Sequence, residues 1–592
     1  MSTNPNKLTR FWHELKRRNV ARVFAVYAAA AFMILELVDI MSEPFGLPDW
    51  TLNLVFAILA LGLVTAMIFS WIFDVTPKGV EKTKPLSEVH EKEKQTVPNG
   101  WKVATYASIV VIIGLVVLNI FSGPKQLRAG DVQSLVVLPF DNLTGDDQLE
   151  YFVSGMHASL IGDMGKVGGM RVISKTSSNT YKDIDKSIPE IATELGVDAV
   201  VESTLMCLGD TICLQIRVIT PFPEERQLWI ADYKEEKSQI LNLYNRITKQ
   251  IASEVMIELT PEEKRLLDKS VTVNEEAYDA YLKGQQYWDQ LSEESLQKAM
   301  EHMNTAIELD PDWAPPYAGV AIVWGGMMQM GFASPSVAAP EIAVNLNKSI
   351  ELDSDFADLH FFIAALAVWM EWDWDKGEKS FLKALAINPN DVMSRIYYAH
   401  LLMILQRTDE ALAQGHLAVG LDPLNPLVLA LYSVVLAGAE ECESALVHAE
   451  KAVTIDPENY FAYGALEHVA FQNEEYDKVL EAIKFQLPLE NEKIKEIEGI
   501  YENHGFLAAY EDAINQMEIM AQQQFVLPCD MAVRYYLINQ DDKAIDWLET
   551  GFNIHDPNMP YITSGITKYD RLHGNPRYID LVEKLNLPFP KN

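Results

Sequence analysis

The sequence predicts a multidomain membrane protein: three N-terminal transmembrane helices, then an α/β domain, then a C-terminal α-helical repeat solenoid. Three observations lead there. The first 121 residues hold three long apolar runs, strand and helix patterns alternate from about residue 132, and a short signature then recurs roughly every 34 residues. With 592 residues the chain is too long for one hydrophobic core, so several domains are expected. The net charge of −36 repels phosphate and argues against nucleic acid as a partner. The charge is uneven: residues 1–102 hold 12 Lys and Arg against 10 Asp and Glu, so a slightly basic head carries a strongly acidic remainder.

The membrane expectation rests on residues 20–41, 52–73 and 103–121. Each run approaches the roughly 20 residues needed to cross about 30 Å of hydrocarbon. The first is too long for a signal-peptide core and has no small-residue cleavage site after it. Residues 1–19 form a basic interfacial segment in this reading. Trp12, Lys16, Arg17, Arg18 and Arg22 would anchor the chain and set its direction, with membrane lipids as partners. The loop after the first run has no Lys or Arg, whereas the loop over 74–102 holds Lys78, Lys82, Lys84, Lys92, Lys94 and Lys102. The basic loops predict a bacterial inner-membrane protein with a cytoplasmic N-terminus and a periplasmic body after about residue 122. Glu36 and Asp39, late in the first run, are placed near the outer interface.

Residues 132–260 read as an α/β domain. Ser134–Phe140 is an apolar strand, and 148–166 is a helix with Phe152, Met156, Leu160 and Met164 at i, i+4 spacing. Met170–Ser174 is a strand, and Ile188–Leu195 a helix closed by Gly196. Val197–Met206 and Thr211–Thr220 form a hairpin, followed by a strand over Leu228–Tyr233 and a helix over Ser238–Glu258. The glycine-rich GDMGKVGGM (162–170) lacks the phosphate-loop pattern and follows a helix, so it reads as a helix end and turn. His157 has no nucleophile partner in view and reads as structural.

The blocks SLVVLPFDNLTGDDQLEYFVSGM, RVISKTSS, IPEIATELGVDAVVESTL and LWIADY resemble the N-terminal domain of the TolB family. That resemblance implies a small α/β binding or adaptor domain without established catalytic residues. The opening FWHELKRRNVARV and the FGLPDW loop resemble the membrane stem of a bacterial family. Its members join TolB-like and tetratricopeptide regions, some beside an adenylyl cyclase or a winged-helix effector.

From Glu275 to Asn592 the chain reads as a helical array with a C-terminal cap. AIELDP, SIELDS, ALAINP, AVGLDP and AVTIDP end at spacings of 43, 35, 34 and 34, a period similar to that of tetratricopeptide repeats (TPRs). Small residues recur at Ala299 and Ala306, Gly377 and Ala384, Ala411 and Ala418, Ala445 and Ala452. Paired helices need them to approach closely, and Pro311, Pro389, Pro423 and Pro457 end the second helices. The second repeat departs, with Ile342, Ser349 and Ser354 at these positions and a Gly/Met-rich insert before it. Tyr278, Tyr281, Tyr287, Trp288 and Trp313 read as core, and the tryptophans of MEWDWDKGE (370–378) as packed at a turn.

No cofactor or metal site is expected. Cys207, Cys213, Cys442 and Cys529 show no CxxC pair and no zinc spacing. Cys207 and Cys213 flank a hairpin turn and are a possible disulfide. A three-residue loop would set them opposite each other, and a two-residue loop would put them out of register. No HExxH, GxSxG or carboxylate–histidine cluster is visible, so the sequence predicts no enzyme. The expected function is a membrane-anchored periplasmic scaffold that binds a protein or peptide partner on the repeat array. The alternative is a non-enzymatic signalling subunit without its own effector, acting on a cytoplasmic regulator.

Overall fold

The computed structural model describes residues 129–589 apart from 147–148, 210, 270–271, 289–291, 330–331, 334, 487–490, 523–525 and 568. Before that it describes Tyr27 and residues 30–32, 34–35, 38, 55–56, 58–59, 62–63, 73–76 and 79–82. Two units divide the chain, Met1–Lys125 and Gln126–Asn592.

The first unit corrects the membrane expectation. Its described helical residues lie between Tyr27 and Val38 and between Val55 and Leu63. Among the described residues no helix is long and apolar enough to cross a membrane. The three transmembrane helices therefore do not stand, and neither do the inner-membrane location, cytoplasmic N-terminus and periplasmic body inferred from them. Residues 103–121, most of 20–41 and 52–73, and Trp12, Lys16, Arg17, Arg18, Arg22, Glu36 and Asp39 lie outside the described residues. Phe73–Thr76 pairs antiparallel with Gly79–Lys82, so the end of the second apolar run belongs to a β-hairpin.

In the second unit, strand β1 (Ser134–Val137) lies inside a mixed sheet. β2 (Asp141–Asn142), helix α1 (Glu150–Gly165), β3 (Arg171–Val172), α2 (Lys175–Asn179) and α3 (Ile188–Leu195) follow. Then come β4 (Ala199–Leu208), β5 (Thr211–Thr220), β6 (Arg226–Glu236) and α4 (Ile240–Glu254). The strand order is β3-β1-β4-β5-β6, with β2 beside β4. Pairs involving β1, β2 and β3 are parallel, and β4–β5–β6 is antiparallel. Successive strand side chains face opposite ways. Leu135 and Val137 join the core formed by α1 and α4, while Val136 packs with Ile191 and Leu195 of α3. The strand expected over 134–140 breaks after Val137, because Pro139 has no N–H for the ladder. Pairing resumes one residue out of step: Leu135 faces Ala199, but Asp141 faces Thr204. In the β4–β5 hairpin, residues 209–211 separate the closing pair Leu208 and Ile212. Cys207 then faces Cys213, and the two are disulfide-bonded.

From Glu275 the chain folds into successive helix pairs. Their first helices are Glu275–Trp288, Ala314–Gln329, Ala357–Ala365, Val392–Ile404, Pro426–Gly438, Tyr460–Gln472, Asn491–His504 and Pro528–Leu537. This region is a TPR-like helical solenoid. Ala299, Ala306, Ala384, Ala411, Ala418, Ala445 and Ala452 are fully buried between helices. At Gly377 a Cβ would come 2.4 Å from Val368 Cγ2, so the small residue is required by close approach. Asp310, Asn388, Asp422 and Asp456 donate their N–H to the carbonyls of Ala306, Ala384, Ala418 and Ala452. The proline that follows each offers no further donor, and the helix ends. In the second pair Ser349 replaces the alanine and stays buried by donating to the Ala314 carbonyl at 3.2 Å.

The turn inside four successive pairs also has a period. Trp372, Gln406, Glu440 and Glu474 stand 34 residues apart with left-handed φ of 56°, 58°, 67° and 59°. The next N–H reaches back five residues, from Arg407 to Leu402, Glu441 to Leu436 and Glu475 to Ala470. A π-helical turn, Leu366–Glu371, precedes Trp372, and there Asp373 reaches back six residues, to Ala367.

Turns between pairs dock on the α/β layer. Asn390 Nδ2 donates to the carbonyls of Gly165 and Val167 at 3.0 and 3.3 Å, and its Oδ1 accepts the Val172 N–H at 3.1 Å. Asp422 Oδ1 accepts the N–H and hydroxyl of Ser177 at 3.1 and 2.6 Å. A Cβ at Gly165 would lie 2.6 Å from Asn388 Oδ1. The glycine-rich stretch after α1 is thus the point where this layer passes close to a repeat turn.

Candidate functional site

From Glu275–Trp288 to Tyr460–Gln472, consecutive first helices pack on one another, so this part of the array bends with these helices on its inner side. That inner face is occupied by the chain's own C-terminal segment. Residues Met559–Thr563 form a 3₁₀ turn, and Ser564 continues in extended conformation. The segment crosses the π-helical turn of one pair and the first helices of the next three, meeting Trp369, His400, Gly438 and His468 in turn.

The hydrogen bonds assign the protons. His400 Nε2 lies 3.0 Å from the Leu431 carbonyl, which only accepts, so Nε2 carries the proton and Nδ1 accepts. Nδ1 accepts a hydrogen bond from the Tyr561 hydroxyl at 3.0 Å, and the Tyr561 oxygen accepts the Trp369 indole N–H at 3.2 Å. Burial pushes the His400 pKa down to about 4, which keeps the ring neutral. Burial likewise raises that of the Tyr561 phenol. Farther along, His468 Nε2 and Gln472 Nε2 donate to the Ile566 carbonyl at 2.7 and 2.8 Å. Gln406 Nε2 donates to the Pro588 carbonyl at 2.8 Å. Between these anchors the two backbones nearly touch: a Cβ at Gly565 would lie 2.4 Å from the Gly438 carbonyl oxygen. Chemically, the face reads backbone carbonyls and one aromatic hydroxyl through neutral groups.

The surroundings hold this geometry. Trp374, inside MEWDWDKGE, is buried and donates to the Leu585 and Asn586 carbonyls at 3.2 Å. Trp372 stacks on His555 with ring centroids 4.3 Å apart. Behind the face, Arg534 and Glu467 form an ion pair of 2.5 Å with both side chains 8% exposed. Tyr510 and Gln486 donate to the same carboxylate at 3.0 and 2.8 Å.

In the α/β layer, a pocket is lined by Pro139, Phe140, Ser154, His157, Asn179 and Lys182, among others. His157 Nε2 donates to the Val137 carbonyl at 2.8 Å, and burial pushes its pKa down to about 4. Among the described residues, no group of three or more His, Cys, Asp or Glu could hold a metal ion.

The residues singled out in sequence lie elsewhere. The signature alanines sit in the array core and the prolines in its turns, and Cys207 and Cys213 lie in the β4–β5 hairpin. Trp369, His400, Gln406, His468 and Gln472 carry no local motif. One signal was present: His400 and His468 occupy the same place in their repeats, two periods of 34 apart.

No family model matches the chain. A putative adenylate cyclase 3 of Rhizobium meliloti (strain 1021) is 28% identical over 255 residues, covering 42% of this chain and 42% of that protein. The chain thus spans less than half the length of that relative. Among solved structures, PilW, a type IV pilus biogenesis factor, overlaps 36% of this chain and 92% of its own at 11% identity and TM-score 0.30. The pilF protein of Pseudomonas aeruginosa overlaps 38% and 97% at 17% identity and TM-score 0.28. YrrB, a TPR protein with an unusual peptide-binding site, overlaps 32% and 91% at 24% identity and TM-score 0.22. The cyclase relative overturns the sequence-based exclusion of enzymatic activity.

Proposed function

We propose that the chain is a protein-interaction scaffold. The array over 275–592 recognises a protein or peptide partner, and a TolB-like domain over 132–260 is fixed against its turns as an adaptor. One observation carries this reading: the inner face holds a stretch of irregular polypeptide by its backbone, with His468 and Gln472 on the Ile566 carbonyl. Groups that grip a backbone serve any segment of suitable shape. The net charge of −36 supports a partner with basic patches. Photo-crosslinkers at Tyr460 and Phe461, exposed at the start of one first helix, test it in cells. Mass spectrometry should identify one recurrent protein, and no recurrent product above the unirradiated control would sink the reading.

A second reading, adenylate cyclase activity, is favoured by the cyclase relative. Incubating the purified chain with ATP tests it directly. Cyclic AMP above a heat-denatured control is the expected product, and its absence would remove this reading.

A further inference from the structure

We propose that the inner face of the array is a peptide-recognition site held shut by the chain's own segment 559–567. It opens to an external segment with an aromatic hydroxyl followed, about five residues on, by a backbone carbonyl next to a glycine. This deepens the scaffold reading and rests on it.

The segment joins the main apolar core through Met559 and Ile562, and its polar contacts distinguish it from the helices around it. Helices of the array hold one another by continuous apolar contact, as Ala411, Tyr432 and Ala445 do in the main core. The segment has a single 3₁₀ turn, Met559–Thr563, and then extended backbone. Its carbonyl at Ile566 is taken by two side chains of one first helix, and its Tyr561 hydroxyl by His400 of another and by Trp369 of the π-helical turn. These contacts read a phenol and a carbonyl, which a foreign peptide also offers. The spacing between them is set by the repeat, because His400 and His468 sit two periods apart. The glycine requirement comes from Gly438, whose carbonyl leaves no room for a Cβ at the facing position. An external peptide must therefore match the hydroxyl, the glycine and the carbonyl together. Ile562 and Met559 of the segment are buried, so occupancy also shields apolar surface of the array from water.

The test uses the full chain and a fluorescent peptide copying residues 557–569. Gly565→Ala places a methyl against the Gly438 carbonyl and should expel the segment. If the segment shuts the site in nine of ten wild-type molecules, the variant binds the peptide about tenfold more tightly. Hydrogen exchange should quicken by a similar factor over 559–567 while 392–472 keeps its protection. Adding His400→Ala and His468→Ala to the variant should abolish the gain. Should Gly565→Ala lose protection throughout the array, Tyr561→Phe replaces it; that change keeps the ring and deletes only the hydroxyl shared by Trp369 and His400. Equal peptide binding by wild type and variant would overturn the closed state. So would wild-type exchange over 559–567 that matches the rate of 392–472, because the segment would then open only with the whole array. Binding by neither form, with 559–567 exchanging freely, would overturn the recognition chemistry. The scaffold reading is judged apart from all of these, by crosslinking at Tyr460 and Phe461.

Discussion

The array is covered by its own chain on two sides, and the covers differ in kind. Against the repeat turns lies a layer whose core, where Leu135, Phe152 and Ile247 pack, also takes in Tyr278, Leu282 and Trp313 of the array. Across the inner face lies a segment with one 3₁₀ turn. At the turns, Asp422 bonds side chain to side chain with Ser177, and Asn390 satisfies three backbone groups of the layer. At the inner face, His468 and Gln472 converge on one backbone carbonyl. The difference teaches that the first contact extends a core shared by two regular layers, while the second holds an irregular segment whose order depends on the array.

Breaking the array itself should exceed damage to either cover. Arg534→Ala leaves the Glu467 carboxylate buried without its cation. A loss of about 3–5 kcal/mol is expected, read from the denaturant midpoint. A change under about 1 kcal/mol would mean that water enters to solvate Glu467.

The turn contact comes next. Asp422→Ala removes the acceptor for the Ser177 N–H and hydroxyl and for Asn425 Nδ2. The expected cost is about 1–3 kcal/mol, with faster hydrogen exchange in α2 than in the array. Equal exchange in both would break the distinction drawn above.

Acid probes both covers by less. Burial holds the His400 pKa down at about 4, although the hydrogen bond to the Leu431 carbonyl raises it. That of His157 is held at about 4 by burial, with Lys175 and Lys182 adding to the effect. A histidine whose folded pKa lies below its unfolded value binds more protons unfolded, so stability falls as pH drops below the unfolded value of about 6.5. Going from pH 7 to pH 6 should cost about 0.7 kcal/mol for each ring. His400→Gln should remove one such share from the pH profile, and an unchanged profile would contradict a buried neutral ring.

The smallest effect is expected at the rim of the α/β contact. Arg265 bridges Asp355 at 2.8 Å but is half exposed. Exposed pairs gain little over their hydration. Arg265→Ala should leave the melting temperature unchanged within error, and a measurable drop would extend the turn contact outward.

Much of the array was legible in sequence because helix pairing is a local problem. Ala384, Ala418 and Ala452 recur where two neighbouring helices must touch, and the following Pro ends each second helix. The alternating pattern likewise placed α3 and β5 at their observed bounds. The left-handed positions Gln406, Glu440 and Glu474 were not legible, because their side chains carry no glycine signal. Apolar runs misled at the N-terminus, where among the described residues no helix is long and apolar enough to cross a membrane.

What the sequence determined by itself is whatever repeats or alternates: the period near 34, the buried small residues, and the order of strands and helices. Burial of one face per element leaves that trace within a few turns of chain. Only the tertiary structure decided that Gly165 meets Asn388, that Ser177 meets Asp422 and that Tyr561 reaches His400. These partners lie more than 150 residues apart, and no local periodicity records them. Their pairing depends on how the whole array curves, which is a sum of packing angles along its length.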